Sequence, residues 1–411
     1  MSKAWTAAFF AFALMFAACE QRTATQSTSI VPLTPTAVPE VSPTPSVPPP
    51  ERPASFDAYA ETVATYLTTS PGAASDCLGE LLAEWEMPLV EAADGCLAGN
   101  TDDDPDDELV VVISAPLDLP TATSDTRYRI VVLDPSAAGY TVAFQTESFE
   151  AVPPGTTALT PLLAAADLNG DSSGEFAYKT GYCGASACFE TAFIYAGSGD
   201  GYELISARDG IGVGEGSFEF RDTDGDGSLE LLASGGISGS VGAGPQRPRT
   251  ETWGWDGSLY TLRTTEPGPS PYLYHHIADA DAVLAAGNYT LAEQMYLLAV
   301  LDATLEAYYP DKNEVAELRA YGLFRAALAH LLSGGDAATA TGYLESAREG
   351  EQTLHAQLAA SFQAGFAAKS EISVGCAAVR DGLRANEPEY EAFWDFGYAN
   401  PTFNAAIFCP F

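Results

Sequence analysis

An acidic stretch at residues 221–230 (RDTDGDGSLE) constrains the fold of this chain more than any other feature. Its four carboxylates stand at positions 1, 3, 5 and 9 of a loop: Asp222, Asp224, Asp226 and Glu230. Carboxylates two residues apart on a tight turn direct their oxygens inward, and without a counter-charge they repel one another. Oxygen ligands crowded in this way are typical of a site for a hard cation such as Ca²⁺. The stretch therefore predicts a metal-binding loop; an acidic turn that holds no ion is the alternative.

The same spacing occurs twice more upstream. The second loop carries Asp167, Asn169, Asp171 and Glu175, and the first carries Asn100, Asp102, Asp104 and Glu108. Each loop leads into a hydrophobic strand, predicted over 109–113, 176–180 and 229–234. A hairpin rich in aromatic and β-branched residues follows, over 128–144, 191–205 and 250–263. This recurring unit predicts a β-repeat domain across residues 96–265.

A loop of this pattern followed by a strand resembles the repeats called FG-GAP or VCBS, as in the calcium hairpins of integrin alpha propellers. That family usually has Asp at the ninth position, where this chain has Glu. The resemblance implies a propeller-like domain, although three visible units fit an open repeat sheet equally well. Strands rather than helices flank the loops, and position 12 carries no Glu, which excludes a true EF-hand.

Calcium is predicted to have a structural role. It would neutralise the carboxylates and fix the turn that aligns two strands. The backbone oxygens of Ser173 and Ser228 would complete the second and third sites.

Residues 1–18 have the pattern of an export signal. Lys3 precedes a short apolar run over 7–16, which is too short to span a membrane as a mature helix. The run ends in Phe-Ala-Ala-Cys, which resembles the lipobox of bacterial lipoproteins and implies a lipid on Cys19; a plain secretory signal is the alternative. Residues 19–55, rich in Pro, Thr and Ser, predict a disordered tether. The chain is thus predicted to be exported and lipid-anchored at the outer face of a bacterial cell membrane or at the cell surface.

The number of cysteines agrees with an exported chain. Seven cysteines are present, and without Cys19 six remain to form disulfides. Many pairings are open, and the simplest has one local pair in each region: Cys77–Cys96, Cys183–Cys188 and Cys376–Cys409. The spacing of Cys183 and Cys188 does not match the C-x-x-C of zinc or redox motifs.

Helical periodicity flanks the β region on both sides. Two short helices are predicted within 56–95, and an all-α domain over 271–411. The predicted C-terminal helices include 291–305, 314–332, 337–348 and 351–368. Gly-centred turns at 286–289 and 333–336 resemble those of tetratricopeptide repeats, but they lie farther apart than that family's period. A helical-repeat domain and an ordinary bundle both remain open.

Several smaller features bear on function. A net charge of −38, from 18 Lys and Arg against 56 Asp and Glu, has the wrong sign for nucleic acid binding. The letters G-x-S-x-G occur at 170–174, but inside an acidic loop and before a strand, so they do not indicate a hydrolase. Trp253 and Trp255 share a face of a predicted strand, where they would either stack on a sugar or pack between the sheet and the helices.

No nucleophile–base set is visible in the sequence. We therefore predict a non-catalytic, calcium-stabilised binding or scaffolding module on the cell surface, with a protein partner bound through the helical domain, or with a glycan. Both families that the chain resembles are chiefly interaction folds, which is an analogy at the level of the fold. A secreted hydrolase with hidden catalytic carboxylates and a purely structural envelope protein stay open as alternatives.

Overall fold

The computed structural model describes residues 47–87, 95–117, 126–150, 162–183, 187–199, 201–237, 239–349, 353–401 and 408–409. The predicted signal segment, Cys19 and the tether up to residue 46 lie outside these residues. Among the described residues, no helix has the length and apolar character needed to cross a membrane.

The β region consists of three open antiparallel sheets, which follow one another along the chain. Sheet 1 contains β1 (Cys96–Gly99), β2 (Glu108–Pro116), β3 (Thr126–Ser136), β4 (Gly139–Gln145) and β5 (Phe149–Glu150). Sheet 2 contains β6 (Leu162–Ala166), β7 (Glu175–Cys183), β8 (Cys188–Ser198), β9 (Gly201–Leu204) and β10 (Ile211–Gly214). Sheet 3 contains β11 (Ser217–Arg221), β12 (Glu230–Gly235), β13 (Arg249–Trp255) and β14 (Tyr260–Pro267).

Every sheet starts with the same hairpin. The first two strands pair antiparallel, and the acidic loop joins them; the pairs that close the loops are Gly99 with Glu108, Ala166 with Glu175, and Arg221 with Glu230. The predicted hairpins form as β3–β4, β8–β9 and β13–β14, whereas β5 pairs with β3 and β10 pairs with β8. The prediction of a β domain followed by an α domain is confirmed, and no described sheet closes on itself.

The sheets are layered face to face. In sheet 1, Val110 and Val112 pack towards sheet 2, whereas Val111 and Ile113 pack towards the N-terminal helices. A strand buried on both faces explains why 109–113 is a continuous apolar run rather than an alternating one. Sheet 2 likewise packs one face on sheet 1 and the other on sheet 3.

Two short helices cover the outer face of sheet 1. They are α1 (Tyr59–Thr69) and α2 (Gly79–Glu84), and both contribute to one buried cluster with β2 and β3. A disulfide between Cys77 and Cys96 ties this helical segment to β1. This pairing agrees with the sequence prediction.

Seven helices form the described C-terminal region around one core. They are α3 (Leu273–Ala285), α4 (Tyr289–Leu301), α5 (Glu314–Leu332), α6 (Ala337–Ser346), α7 (Leu354–Lys369), α8 (Ile372–Ala385) and α9 (Glu387–Trp394). Short turns join α3 to α4, α5 to α6 and α7 to α8, which gives three consecutive helix pairs.

The predicted bounds of α5 agree with the structure, but the helix predicted over 291–305 is too long and two helices were not predicted. The helix predicted over 291–305 ends at Leu301, because Asp302 leaves the helical conformation and its carboxylate accepts bonds from the backbone N–H and the hydroxyl of Thr304. The helix α9 was not predicted from the sequence, and neither was α8. Its Gly375 lies against the ring of Phe362 and leaves no room for a side chain, so packing places a poor helix former inside this helix.

The β and α regions are joined by polar contacts. Arg247 in the β12–β13 connection forms a two-pronged ion pair with Asp279 on α3. His275, also on α3, is buried and lies 2.6 Å from the Ser270 hydroxyl through Nδ1. Burial, together with the positive charge of Arg247, lowers the pKa of His275 to about 4. This histidine is therefore neutral at physiological pH and has a structural role in the core.

Candidate metal centre

The ninth-position glutamate is buried in each of the three acidic loops. Each of these glutamates is the first residue of the second strand of its sheet, and the exposed fractions of Glu108, Glu175 and Glu230 are 0%, 0% and 7%. Strand pairing fixes their backbone at the point where the loop returns to the sheet. The aspartates at positions 3 and 5 are exposed or half-exposed on the loop itself, whereas Asn169, at position 3 of the second loop, is buried.

Each of these glutamates accepts a hydrogen bond from the loop's second residue. The backbone N–H donors are Thr101 at 2.6 Å, Leu168 at 2.7 Å and Thr223 at 2.8 Å. In the first and third loops the threonine hydroxyl donates to the same oxygen. The glutamate thus connects the end of the loop to its beginning. This role was not predicted from the sequence, which indicated the glutamate only as an ion ligand. Threonine at position 2 of the first and third loops is the sequence signal for this bond.

Side chains at positions 3 and 5 form a second repeated feature. Each accepts a bond from the backbone N–H two residues further on, in all three loops. These local bonds fix the orientation of the side chains even without a bound ion. One oxygen of each aspartate is used in this way, and the other oxygen is left for a ligand or solvent, except in Asp171, whose second oxygen accepts from the Asn169 amide.

The first loop has the arrangement best suited to a cation. One carboxylate oxygen from each of Asp102, Asp104 and Glu108 lies within 4.8 Å of the others. Oε1 of Glu108 is buried and has no hydrogen-bond partner among the described residues. Burial raises the pKa of this carboxyl, partly offset by the bonds from Thr101. A buried carboxylate oxygen without a partner is costly unless a donor or an ion satisfies it, so these residues fit a hard cation.

Asn100 lies at the rim of this first loop. Its Oδ1 accepts from the N–H of Asp102, and its amide nitrogen donates to the carbonyl of Asp104. Both polar ends of the side chain are therefore used to shape the turn. Asn100 holds the position of Asp104 through the backbone.

The second loop has a different interior. The amide nitrogen of Asn169 donates to Asp171 Oδ2 at 3.0 Å and to Glu175 Oε1 at 2.8 Å. Both oxygens of Glu175 are therefore satisfied by the chain itself, and burial raises its pKa to about 7. Asp167 accepts from the N–H groups of Gly170 and Ser172. An ion could enter this loop only if the Asn169 amide turned away.

The third loop brings together Asp222, Asp224 and Asp226. One carboxylate oxygen of each lies within 4.8 Å of the others, and all three side chains are exposed. Asp222 also accepts from the N–H of Gly225, as Asp167 does from Gly170 in the second loop. Glu230, predicted to join this cluster, is instead bonded to Thr223. The loop offers three oxygens to a cation at the surface of the protein.

The three loops stack on one another through hydrogen bonds donated from the same two loop positions. The position-7 serine hydroxyl donates to the preceding loop, from Ser173 to Asp103 Oδ1 at 2.6 Å and from Ser228 to the Asn169 carbonyl at 2.8 Å. The N–H at position 8 also donates backwards, from Gly174 to the Asp102 carbonyl and from Leu229 to the Leu168 carbonyl. The two serines were predicted as backbone ligands; in the structure their side chains join neighbouring loops.

Two tyrosines and one glycine support the stack. Tyr260 donates to the carbonyls of Leu168 and Leu229, at 3.0 Å each, and so contacts the second and third loops. Tyr202 forms a hydroxyl–hydroxyl bond with Thr101 of the first loop. Gly174 approaches the Asn100 carbonyl so closely that any side chain there would collide with it. The loops therefore form one connected edge of the β region.

Comparison with known proteins adds no assignment: no family model and no curated protein matches the chain. The resemblance to calcium-loop repeats and to tetratricopeptide repeats therefore stays a prediction.

The cysteines lie away from the acidic loops. Cys376 and Cys409 form a disulfide with a Cα–Cα distance of 5.3 Å, as predicted. Cys188 is disulfide-bonded, and it stands opposite Cys183 in the pairing of β7 with β8. The side chain of Cys183 lies outside the described residues, so the third predicted pair stays a prediction.

A buried charged cluster in the helical region was not predicted from the sequence. Asp281 on α3 accepts bonds from Tyr296, Tyr321 and Arg325, and burial raises its pKa despite these donors. Its exposed fraction is 7% and that of Arg325 is 2%. Since the donors surround the carboxylate inside the core, this cluster has a structural role and does not form an accessible catalytic site.

Proposed function

We propose that this protein is a non-catalytic, exported lipoprotein whose β region binds Ca²⁺ for stability and whose helical region binds a protein partner. The observation that most supports a bound ion is the buried Oε1 of Glu108, which has no hydrogen-bond partner among the described residues and lies beside the carboxylates of Asp102 and Asp104. Oxygen ligands in an irregular loop suit Ca²⁺ better than Mg²⁺, which demands a small octahedron. Because the loops are bonded to one another, an ion in the first loop would stabilise the whole stack.

We further propose that the β region is an open repeat stack and not a closed propeller. The support is the cover over the outer face of sheet 1, where α1 and α2 pack in place of a further sheet. Covering the edge of a repeat array with helices is a common way to end it.

The proposed partner surface is an apolar stripe on α4. Leu291, Leu298 and Leu301 are exposed by 42%, 71% and 78% of their surfaces. Their spacing of seven and three residues places them along one face of the helix. Leucines exposed together in this way are typical of protein–protein contact surfaces.

Calcium is expected to increase the free energy of unfolding, and Asp104→Asn is expected to remove much of that increase. At a hundredfold excess over Kd, one site contributes about 2.7 kcal/mol. Asn keeps the bond that Asp104 accepts from the N–H of Asp106, so the substitution removes charge without opening the turn. The measurement is urea unfolding with Ca²⁺, with Mg²⁺ and with chelator.

Asp107→Asn is the matched control for this experiment, because it removes one exposed charge from the same loop but lies outside the carboxylate cluster. It should keep the full response to Ca²⁺. Identical unfolding curves in Ca²⁺ and chelator would contradict the proposed ion, as would an equal loss of response in both variants.

Negative charge introduced by substitution into the apolar stripe on α4 is expected to weaken partner binding. The full-length chain is immobilised, incubated with cell-surface extract, and compared with a Leu298→Glu/Leu301→Glu variant. Two desolvated leucine contacts should reduce capture about tenfold or more. Leu262→Glu, at a leucine on β14 with 48% exposure, is the control. The proposal requires a protein that wild type and the control retain and that the α4 variant loses; if no protein behaves in this way, the partner surface is wrong.

A further inference from the structure

A second carboxylate stands beside the ninth-position glutamate of sheet 1. Leu109 on β2 pairs with Leu133 on β3, and the same antiparallel register places Glu108 opposite Asp134. Directly opposite residues of an antiparallel pair project from the same face of the sheet. Val110, which shares this face, packs towards sheet 2. Asp134 therefore lies beside the first acidic loop and faces sheet 2, although it belongs to a different strand.

The other two units lack this carboxylate. In sheet 2 the residue opposite Glu175 is Ala196. In sheet 3 the register places Gly254 opposite Glu230, and Cγ of Glu230 lies 3.6 Å from the position that a Cβ of Gly254 would take. The residue opposite the glutamate is thus Asp, Ala and Gly in the three units, and the first unit alone has a second carboxylate there.

Both carboxylates of the first unit have a buried oxygen without a partner. Oδ1 of Asp134 and Oε1 of Glu108 form no hydrogen bond among the described residues, and Glu108 directs one oxygen into the cluster with Asp102 and Asp104. Burial raises the pKa of Asp134, and the negative charges of Asp104, Asp102 and Asp106 raise it further. No positively charged side chain forms an ion pair with Asp134 or Glu108 within the described part of the chain.

Sheet 2 bounds the space around these oxygens. A side chain at Gly197 on β8 would collide with the first loop, so the loop lies directly against this strand. The hydroxyl of Tyr202 on β9 bonds to that of Thr101. Burial raises the pKa of Tyr202, and the negative charges around it, those of Glu108 and Asp134 included, raise it further. The two oxygens therefore lie between sheets, where like charges repel one another more strongly than in water.

We infer that Asp134 belongs to the cation site of the first loop and that this loop binds Ca²⁺ more tightly than the third loop does. The inference rests on the calcium binding proposed above and adds to it a residue from outside the loop. A water molecule could donate hydrogen bonds to the two oxygens, but both negative charges would remain. A divalent cation satisfies the oxygens and also removes the repulsion between them.

Asp134 acts on the ion through a bound water molecule. It lies outside the group of oxygens from Asp102, Asp104 and Glu108 that are all within 4.8 Å of one another, so it is a positioning residue and not a direct ligand. In loop sites for Ca²⁺, one side chain commonly contacts the ion through water. The clustered carboxylates of the third loop are exposed, so solvent screens their attraction to an ion.

Calorimetric titration with Ca²⁺ tests the inference in the full-length chain carrying Asp224→Asn and Asp226→Asn. These substitutions remove charge from the third loop, so the first loop dominates the heat of binding. In this background Asp134→Asn should raise Kd about tenfold or more, as loss of a residue around the direct ligands commonly does. Asp134→Glu keeps the charge and should raise Kd less, although Asn matches Asp more closely in size. A role in packing alone would give the opposite order.

Asp107→Asn in the same background is the matched control, because it removes an exposed charge from the first loop outside the cluster. It should bind Ca²⁺ as the background does. Asp104→Asn alone leaves the third loop intact, and this chain should bind Ca²⁺ more weakly than the background does.

Urea unfolding gives a second test, because the two adjacent charges oppose folding when no ion is bound. In chelator, Asp134→Asn should have a higher urea midpoint than Asp107→Asn, and it should gain less from Ca²⁺. A lower midpoint in chelator would overturn the inference.

The inference is also overturned if Asp134→Asn binds Ca²⁺ as Asp107→Asn does, if Asp134→Glu loses more affinity than Asp134→Asn, or if the third loop binds more tightly than the first. Binding that Asp104→Asn removes from the background and Asp134→Asn leaves intact would overturn the inference and keep the proposed calcium site. Absence of Ca²⁺ binding by the wild-type chain would overturn both.

Discussion

Replacing Arg325 with Met is expected to lower the free energy of unfolding by about 3–5 kcal/mol. The guanidinium lies in the helical core, where it donates to Asp281 at 2.9 Å and to the Phe408 carbonyl at 3.0 Å. Without it, the Asp281 carboxylate keeps, among the described residues, the hydroxyls of Tyr296 and Tyr321 as partners. A charge left in the core without its counter-charge must be neutralised or hydrated, and both cost folding free energy.

The measurement is urea unfolding at neutral pH, with two comparison variants. Arg384→Met breaks an ion pair with Asp381 in which both side chains are about three-quarters exposed, and it should change stability by less than about 1 kcal/mol. Arg325→Met combined with Asp281→Leu removes both buried charges and should recover much of the loss. If Arg325→Met costs no more than Arg384→Met, the buried pair does not have the role assigned here.

Removal of the Cys376–Cys409 disulfide by a double change to Ala is expected to cost about 4 kcal/mol. The bond joins residues 33 apart, and closing a loop of that size restricts the unfolded chain by roughly this amount. Both cysteines are fully buried, so reductant should act slowly on the native protein. Urea unfolding of the double variant, compared with wild type under oxidising conditions, measures the loss.

The disulfide and the buried ion pair should also be coupled. Cys409 follows Phe408, whose carbonyl accepts from Arg325, so the disulfide holds that acceptor in place. Combining Arg325→Met with the two Cys→Ala changes should therefore cost less than the sum of the separate losses. Strict additivity would show that the C-terminal segment keeps its position without the disulfide. If the two Cys→Ala changes alone cost less than about 1 kcal/mol, the restriction of the unfolded chain does not explain the effect of the disulfide.

Much of the β region can be predicted from sequence because its strands carry local signals. The run at 109–113 is apolar throughout, and the acidic spacing marks each hairpin turn. The first strands of the sheets carry weaker signals: β1 is Cys-Leu-Ala-Gly, and β6 is rich in alanine. They become strands because the acidic loop returns the chain onto a strong neighbour, which is a tertiary effect that propensity does not describe.

The acidic loops likewise have some contacts that the sequence predicts and others that it does not. Spacing alone predicts that Asp222, Asp224 and Asp226 converge, since local turns decide this. It does not predict that Ser173 bonds to Asp103, 70 residues away, or that the Asn169 amide fills the second loop. Likewise Asp281 has the sequence appearance of an exposed helical residue, and its partner Arg325 lies 44 residues along the chain. Contacts of this kind depend on packing between elements.

The stacked loops have a direction, because the position-7 serines and position-8 amides donate only to the loop before them. A unit that leaves the ribosome therefore meets a neighbour whose acceptors are already in place. Sheet 1, covered by α1 and α2, is complete before the second unit is synthesised, and sheet 2 is complete before the third. We expect the β region to fold from its N-terminal unit to its C-terminal unit during synthesis, with each unit packing on the one before it. Few apolar sheet faces would then be exposed to solvent while the rest of the chain is synthesised.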